Sequence, residues 1–131
     1  MANSIVHFEI PFGDGERARA FYRDAFGWEV QHLPEMDYTM VQTGPVGDDM
    51  APSEPGFING GMFERREPFT GPVVTVGVDS IDDTLARVEA LGATPVGRKE
   101  EVGGMGFAAY FTDPEGNVIG LWETASPAEI G

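Results

Sequence analysis

F-T-D-P-E-G-N-V-I-G-L-W-E, from Phe111 to Glu123, reads as strand, turn, strand. Asp113-Pro114-Glu115-Gly116 is a turn by composition: Asp bonds its own backbone, Pro fixes φ and Gly accepts a left-handed one. Phe107 to Phe111 is the strand leading in, and Asn117 to Glu123 the strand leading out. The closing G-L-W-E, from Gly120 to Glu123, echoes G-M-F-E from Gly61 to Glu64, 59 residues earlier. An echo at fixed spacing marks an internal repeat.

Outward from that echo, one order of elements appears twice. In I-V-H-F-E-I-P-F, from Ile5 to Phe12, the residues Val6, Phe8, Ile10 and Phe12 alternate with His7, Glu9 and Pro11, which predicts a strand with its apolar face on the first set. Asp14 is placed as the N-cap of a helix over 16–26, with Ala18, Phe21, Tyr22, Ala25 and Phe26 on its inner face and Gly27 ending it. Strands follow at Trp28-Glu29-Val30, at Tyr38 to Val41 and at Ile58 to Glu64, with His32 in a turn and 44–57 as a long loop. In the second half Val73 to Val78 is a strand. Ser80 caps a helix whose buried face is Ile81, Leu85 and Val88, Leu91-Gly92 ends it, and Thr94 to Val96 is a short strand. Phe26-Gly27 and Leu91-Gly92 are 65 residues apart, and Phe12 and Val78 are 66 apart. The expectation is one α+β domain over residues 1–131, built from two βαβββ modules at about 5–66 and 71–124. Their curled mixed sheets would enclose a shared cavity, since neither half alone has enough surface to bury its sheet.

The bulk properties narrow the functions. The 131 residues contain no cysteine, which removes disulfides, thiolate metal sites and thiol nucleophiles. Acidic residues outnumber basic ones 22 to 8, for a net charge of −14. A basic footprint for nucleic acid is missing, and an anionic membrane surface would repel the chain. Lys99 is the only lysine beside seven arginines. That composition suits either adaptation to high salt or an Arg-rich codon bias. Met1-Ala2-Asn3-Ser4 lacks the basic and apolar regions of a secretory signal, so the expected location is cytoplasmic. Gly103-Gly104-Met105-Gly106 lacks the strand-turn-helix setting of a phosphate loop.

The F-Y-x-x-x-F-G-W pattern at Phe21 to Trp28, V-D-S-I-D-D-T…L-G-A from Val78 to Ala93, and the Phe111–Glu123 stretch resemble the vicinal-oxygen-chelate superfamily. That superfamily includes glyoxalase I, extradiol dioxygenases, and bleomycin and fosfomycin resistance proteins, and the resemblance spans about residues 5–123. It implies paired βαβββ modules around a pocket and a homodimer. It also implies four metal-ligand positions, two on first strands and two on last strands. Here these fall on His7, Val73, Gly61 (or Gly60) and Gly120, so only His7 carries a donor side chain. A catalytic zinc centre takes about three protein ligands. The expectation is therefore no metal and no other cofactor, with a divalent metal as the alternative.

The candidate ligand-binding residues are His7, Glu9, Tyr38, Gly61, Val73, Thr75, Gly120 and Trp122. His7 and Glu9 share one strand face and are the candidate acid–base pair. Glu123 is three residues past Gly120 and falls on the opposite face. A glycine inside a strand brings no packing, so Gly61 and Gly120 signal either close approach by a ligand or another backbone, with both glycines widening one cavity, or a bend for sheet curvature. Trp28, Trp122, Tyr38, Phe57, Phe63 and Phe107 are candidate apolar walls. Two function classes stay open. One is a metal-free protein that binds a small, partly hydrophobic molecule, as bleomycin resistance proteins do. The other is an enzyme: a metal-dependent glyoxalase-like lyase or isomerase, an extradiol-type dioxygenase, or an enzyme without metal that uses His7 and Glu9 as acid and base.

Overall fold

The structure is a computed structural model, and it describes residues 3–48 and 51–125. Among these are eight strands and two α-helices. The first half holds β1 (Ile5–Phe12), α1 (Gly15–Phe26), β2 (Glu29–Leu33), a 3₁₀ turn (Pro34–Met36), β3 (Tyr38–Gln42) and β4 (Asn59–Glu64). The second holds β5 (Val73–Gly77), α2 (Ile81–Ala90), β6 (Thr94–Val102), β7 (Gly106–Thr112) and β8 (Val118–Thr124). The chain divides into two compact units at Val6/His7 and again at Val73/Val74. The described residues before His7 go with the second half, where the amide of Gly77 donates to the carbonyl of Ser4 at 2.9 Å.

The repeat is real at the level of hydrogen-bond register. In the His7–Val73 unit the strands run β2-β3-β4-β1, with β1 parallel to β4 and the other pairs antiparallel. In the other unit they run β6-β7-β8-β5, with β5 parallel to β8 and the rest antiparallel. Glu9 pairs with Gly61, and Thr75 pairs with Gly120. Met40 faces Gly61 as Tyr110 faces Gly120. The α+β class and the two-fold βαβββ order thus hold.

Local chemistry explains both helix starts. Asp14 accepts the amide of Arg17 at 3.1 Å, and Gly27 closes α1 in the left-handed region at φ 70°. Ser80 accepts the amide of Asp83 at 3.1 Å. Glu123 reaches from β8 to take the amide of Ile81 at 2.8 Å, satisfying a second exposed helix donor. Glu123 therefore lies on the helix side of β8, as its phase requires.

The two helices pack differently. Ile81 of α2 is fully buried in a cluster with Ala93, Ala109, Phe111 and Leu121, with Leu85 and Val88 packed at its edge. By contrast, α1 has no fully buried side chain, and the expected inner-face residues Phe21 and Phe26 are 58% and 61% exposed. On β1 the expected order is reversed as well. Glu9 and Pro11 are the buried residues, Phe8, Ile10 and Phe12 are half-buried, and Val6 is exposed. The reason is tertiary: a tyrosine covers Glu9 on one face, while on the other α1 leaves a gap above Ile10 and Phe12. Two boundaries also differ. His32 sits inside β2 because it pairs with Thr39, and β6 runs to Val102 because a register shift between Val96 and Glu100 lets the strand continue past Gly97.

Candidate functional site

Strand alternation places His7 and Glu9 on one face of β1. Tyr38 opens β3 directly after Asp37, whose left-handed φ of 50° turns the chain out of the 3₁₀ turn. From there the Tyr38 ring lies across the backbone of Gly61. A Cβ at position 61 would collide with the Tyr38 hydroxyl and ring carbons. The missing side chain is thus what admits the phenol. The Tyr38 hydroxyl donates to Glu9 Oε2 at 2.7 Å and lies 3.0 Å from His7 Nε2. Its single proton goes to Glu9, so His7 donates its Nε2–H to the Tyr38 oxygen, leaving the lone pair on Nδ1. The result is a directed chain, His7 to Tyr38 to Glu9.

Burial dominates the protonation of His7. It lowers the imidazole pKa from 6.5 to about 4, so His7 is neutral at pH 7. Glu9 is 5% exposed. A buried carboxylate is tolerated when it accepts hydrogen bonds, and Tyr38 supplies one.

Asn59, which pairs in register with His7, has no counterpart in the sequence reading. Its carbonyl oxygen accepts the amide of Thr43 at 2.8 Å. Its amide nitrogen is buried without a hydrogen-bond partner among the described residues. Such donors are uncommon in folded proteins. The sequence signal was available but weak: an Asn at the start of a strand that carries two glycines.

The other unit carries the equivalent frame with different side chains. Thr75 Oγ1 lies 2.5 Å from where a Gly120 Cβ would be, and Tyr110 Cε1 lies 3.3 Å from it. Thr75 is buried. Trp122 lies across Gly106, and its indole N–H donates to Thr124 at 3.1 Å. What approaches each strand glycine is therefore a side chain of the same unit. Val73 is buried and apolar. The remaining candidate walls do not gather at one place. Phe63 meets Phe69 edge-on at 5.6 Å, Phe57 lies across Gly44, Phe107 lies beneath Lys99, and Trp28 stacks on Tyr22 at 5.2 Å.

The four family ligand positions do not fit a metal. Val73, Gly61 and Gly120 offer no donor side chain. The space a carboxylate would need at 61 is filled by Tyr38, and at 120 by Thr75 and Tyr110. Among the described residues no three His, Asp or Glu side chains converge.

The comparisons agree with the fold at the level of family. The family model "Bleomycin resistance protein-like N-terminal" matches residues 4–44. A glyoxylase-like domain-containing protein of Didymella fabae is 30% identical over 118 residues, covering 86% of this chain and 88% of that protein. The chain belongs to the vicinal-oxygen-chelate superfamily. Within it, a lactoylglutathione lyase of Haemophilus influenzae is 28% identical over 126 residues, 93% of each chain. Structures of Streptomyces coelicolor methylmalonyl-CoA epimerase superpose with a TM-score of 0.66 at 19% identity, over 96% of this chain and 100% of theirs. At that identity the likeness speaks for the superfamily fold alone. No helix among the described residues is long and apolar enough to cross a membrane.

Proposed function

We propose that this superfamily member binds a small, partly apolar molecule without a metal, on the face of β1 that carries His7, Glu9 and Tyr38. One observation carries the reading: the Tyr38 ring occupies the space over Gly61 and ties His7 and Glu9 into one hydrogen-bonded chain. A metal would compete with that chain for His7, and the neutral imidazole already donates from Nε2. The unpartnered amide of Asn59 beside His7 supports a ligand with an acceptor atom. Thr75 and Gly120 form the equivalent register pair of the other unit. The working state is a homodimer, following the family resemblance.

Calorimetric titration with zinc, nickel, manganese and iron(II) is expected to give no site tighter than about 10 μM, on the order of −7 kcal/mol. Mass spectrometry of the native protein is expected to show a retained small molecule that is lost in His7→Ala. A micromolar metal site that vanishes in His7→Ala would overturn the reading and favour a lyase like the Haemophilus relative.

A further inference from the structure

β1 has a second face, and it leads to a different recess. Ile10 and Phe12 alternate with Glu9 and Pro11 and turn toward α1. Because α1 buries none of its side chains, a groove of about 380 Å³ stays open there. Its floor is Ile10, Phe12 and Met62, and its wall is Ala18, Phe21 and Tyr22. That volume suits a compact organic molecule. Phe21 meets Tyr22 edge-on at 5.0 Å yet stays 58% exposed, which leaves much of this apolar wall uncovered.

The rim is charged in the opposite sense to the chain. Arg17 and Arg65 both line the groove, and among the described residues neither forms an ion pair. Arg65 Nη1 lies 3.7 Å from the Cβ position of Gly13, and its Nη2 reaches only 3.5 Å toward the carbonyl of Pro11. Asp14 also sits on the rim, and its carboxylate accepts the amide of Arg17 at the start of α1. The local balance is two cations against one anion, in a chain with 22 acidic and 8 basic residues. With so many carboxylates available, two guanidiniums beside an apolar floor, neither of them in an ion pair, are a recognition element. Arginine suits it, since its planar fork matches a carboxylate in two parallel hydrogen bonds.

We propose that this groove binds an amphipathic carboxylate, its apolar body on Ile10, Phe12 and Met62 and its head between Arg17 and Arg65. The site is on the opposite face of β1 from His7, Glu9 and Tyr38, so it stands or falls separately from the function proposed above.

The test is calorimetric titration of the intact protein with 2-naphthoate and with 2-naphthylmethylammonium, which share a ring system and differ in the sign of their charge. A net charge of −14 acting alone favours the cation. The groove predicts the reverse, with naphthoate bound about tenfold tighter, the scale of one charge-assisted hydrogen bond. Arg17→Gln with Arg65→Gln is expected to erase that preference while leaving the melting temperature unchanged, since both side chains are exposed. Ala18→Phe fills the groove and is expected to abolish naphthoate binding by a route that spares both arginines. Cation binding equal to or tighter than naphthoate overturns the proposal. So does naphthoate binding that survives the double substitution, or that is lost in Tyr38→Phe and kept in the arginine variant.

Discussion

α2 closes Ile81 over Ala93, Ala109, Phe111 and Leu121, whereas α1 rides above β1 with no side chain fully buried. The strands beneath the two helices have the same order and the same register, with Glu9 against Gly61 in one and Thr75 against Gly120 in the other. Backbone hydrogen bonding therefore does not decide how a βαβββ unit is filled. Side chains do, and they divide the work. One unit is sealed by apolar packing around α2. The other leaves a groove under its helix and joins a buried carboxylate to a half-buried phenol and imidazole on the far face of its first strand.

The contrast is most exposed to attack through core truncation. Leu121→Ala removes a fully buried side chain from the sealed unit and is expected to cost about 2–5 kcal/mol. Phe21→Ala removes a larger side chain from α1 and is expected to cost no more than about 0.5 kcal/mol, because it is mostly in solvent already. Denaturant unfolding of the two variants measures both, and equal losses would erase the distinction between the helices.

Gly61 offers a sharper probe of the polar face. Gly61→Ala places a Cβ into the Tyr38 ring and is expected to cost about 1–3 kcal/mol. Combined with Tyr38→Ala, most of that cost should disappear, and a double-mutant cycle reads the coupling directly. Additive losses would mean that the ring does not rest on Gly61.

The pH dependence supplies a third probe, confined to one window. The His7 pKa is depressed to about 4 by burial, against 6.5 when the chain is unfolded. Between these values the unfolded state binds more protons, so stability falls as pH drops from about 6.5 to about 4, and this contribution is level above and below that window. The loss is on the order of 2 kcal/mol after allowing for partial solvent access. Thermal melts across that range should show it, and His7→Gln should flatten that part of the profile. An unaltered acid limb in His7→Gln would assign the loss to other groups.

Much of the fold was legible before the structure. Period-2 alternation, the caps at Asp14 and Ser80 and the paired glycines at helix ends placed every strand and both helices, because these signals are local. Burial was less legible. The alternation in β1 correctly separated two faces but misassigned which was covered, since coverage depends on Tyr38, 29 residues from Glu9, and on how close α1 sits. His32 and the length of β6 were missed for the same reason, both being fixed by a partner strand. At the site, His7, Glu9, Tyr38 and Gly61 were each singled out, but not that the glycine exists for the tyrosine. Asn59 and the Arg17–Arg65 rim carried no local signature, because they become distinctive only through the partners they lack.

The loop lengths hold one more consequence. From Met40 to Gly61 the chain spends 21 residues on a connection that its counterpart, Tyr110 to Gly120, makes in ten, yet the cross-strand pairing at both ends is unchanged. The extra length lies outside the ladder but is not idle: Val46 bridges Pro52, the amide of Gly47 donates to the carbonyl of Ala51, and Phe57 lies across Gly44. Residues 54–56 stand outside these ties, so a short graft there is the change the register should ignore.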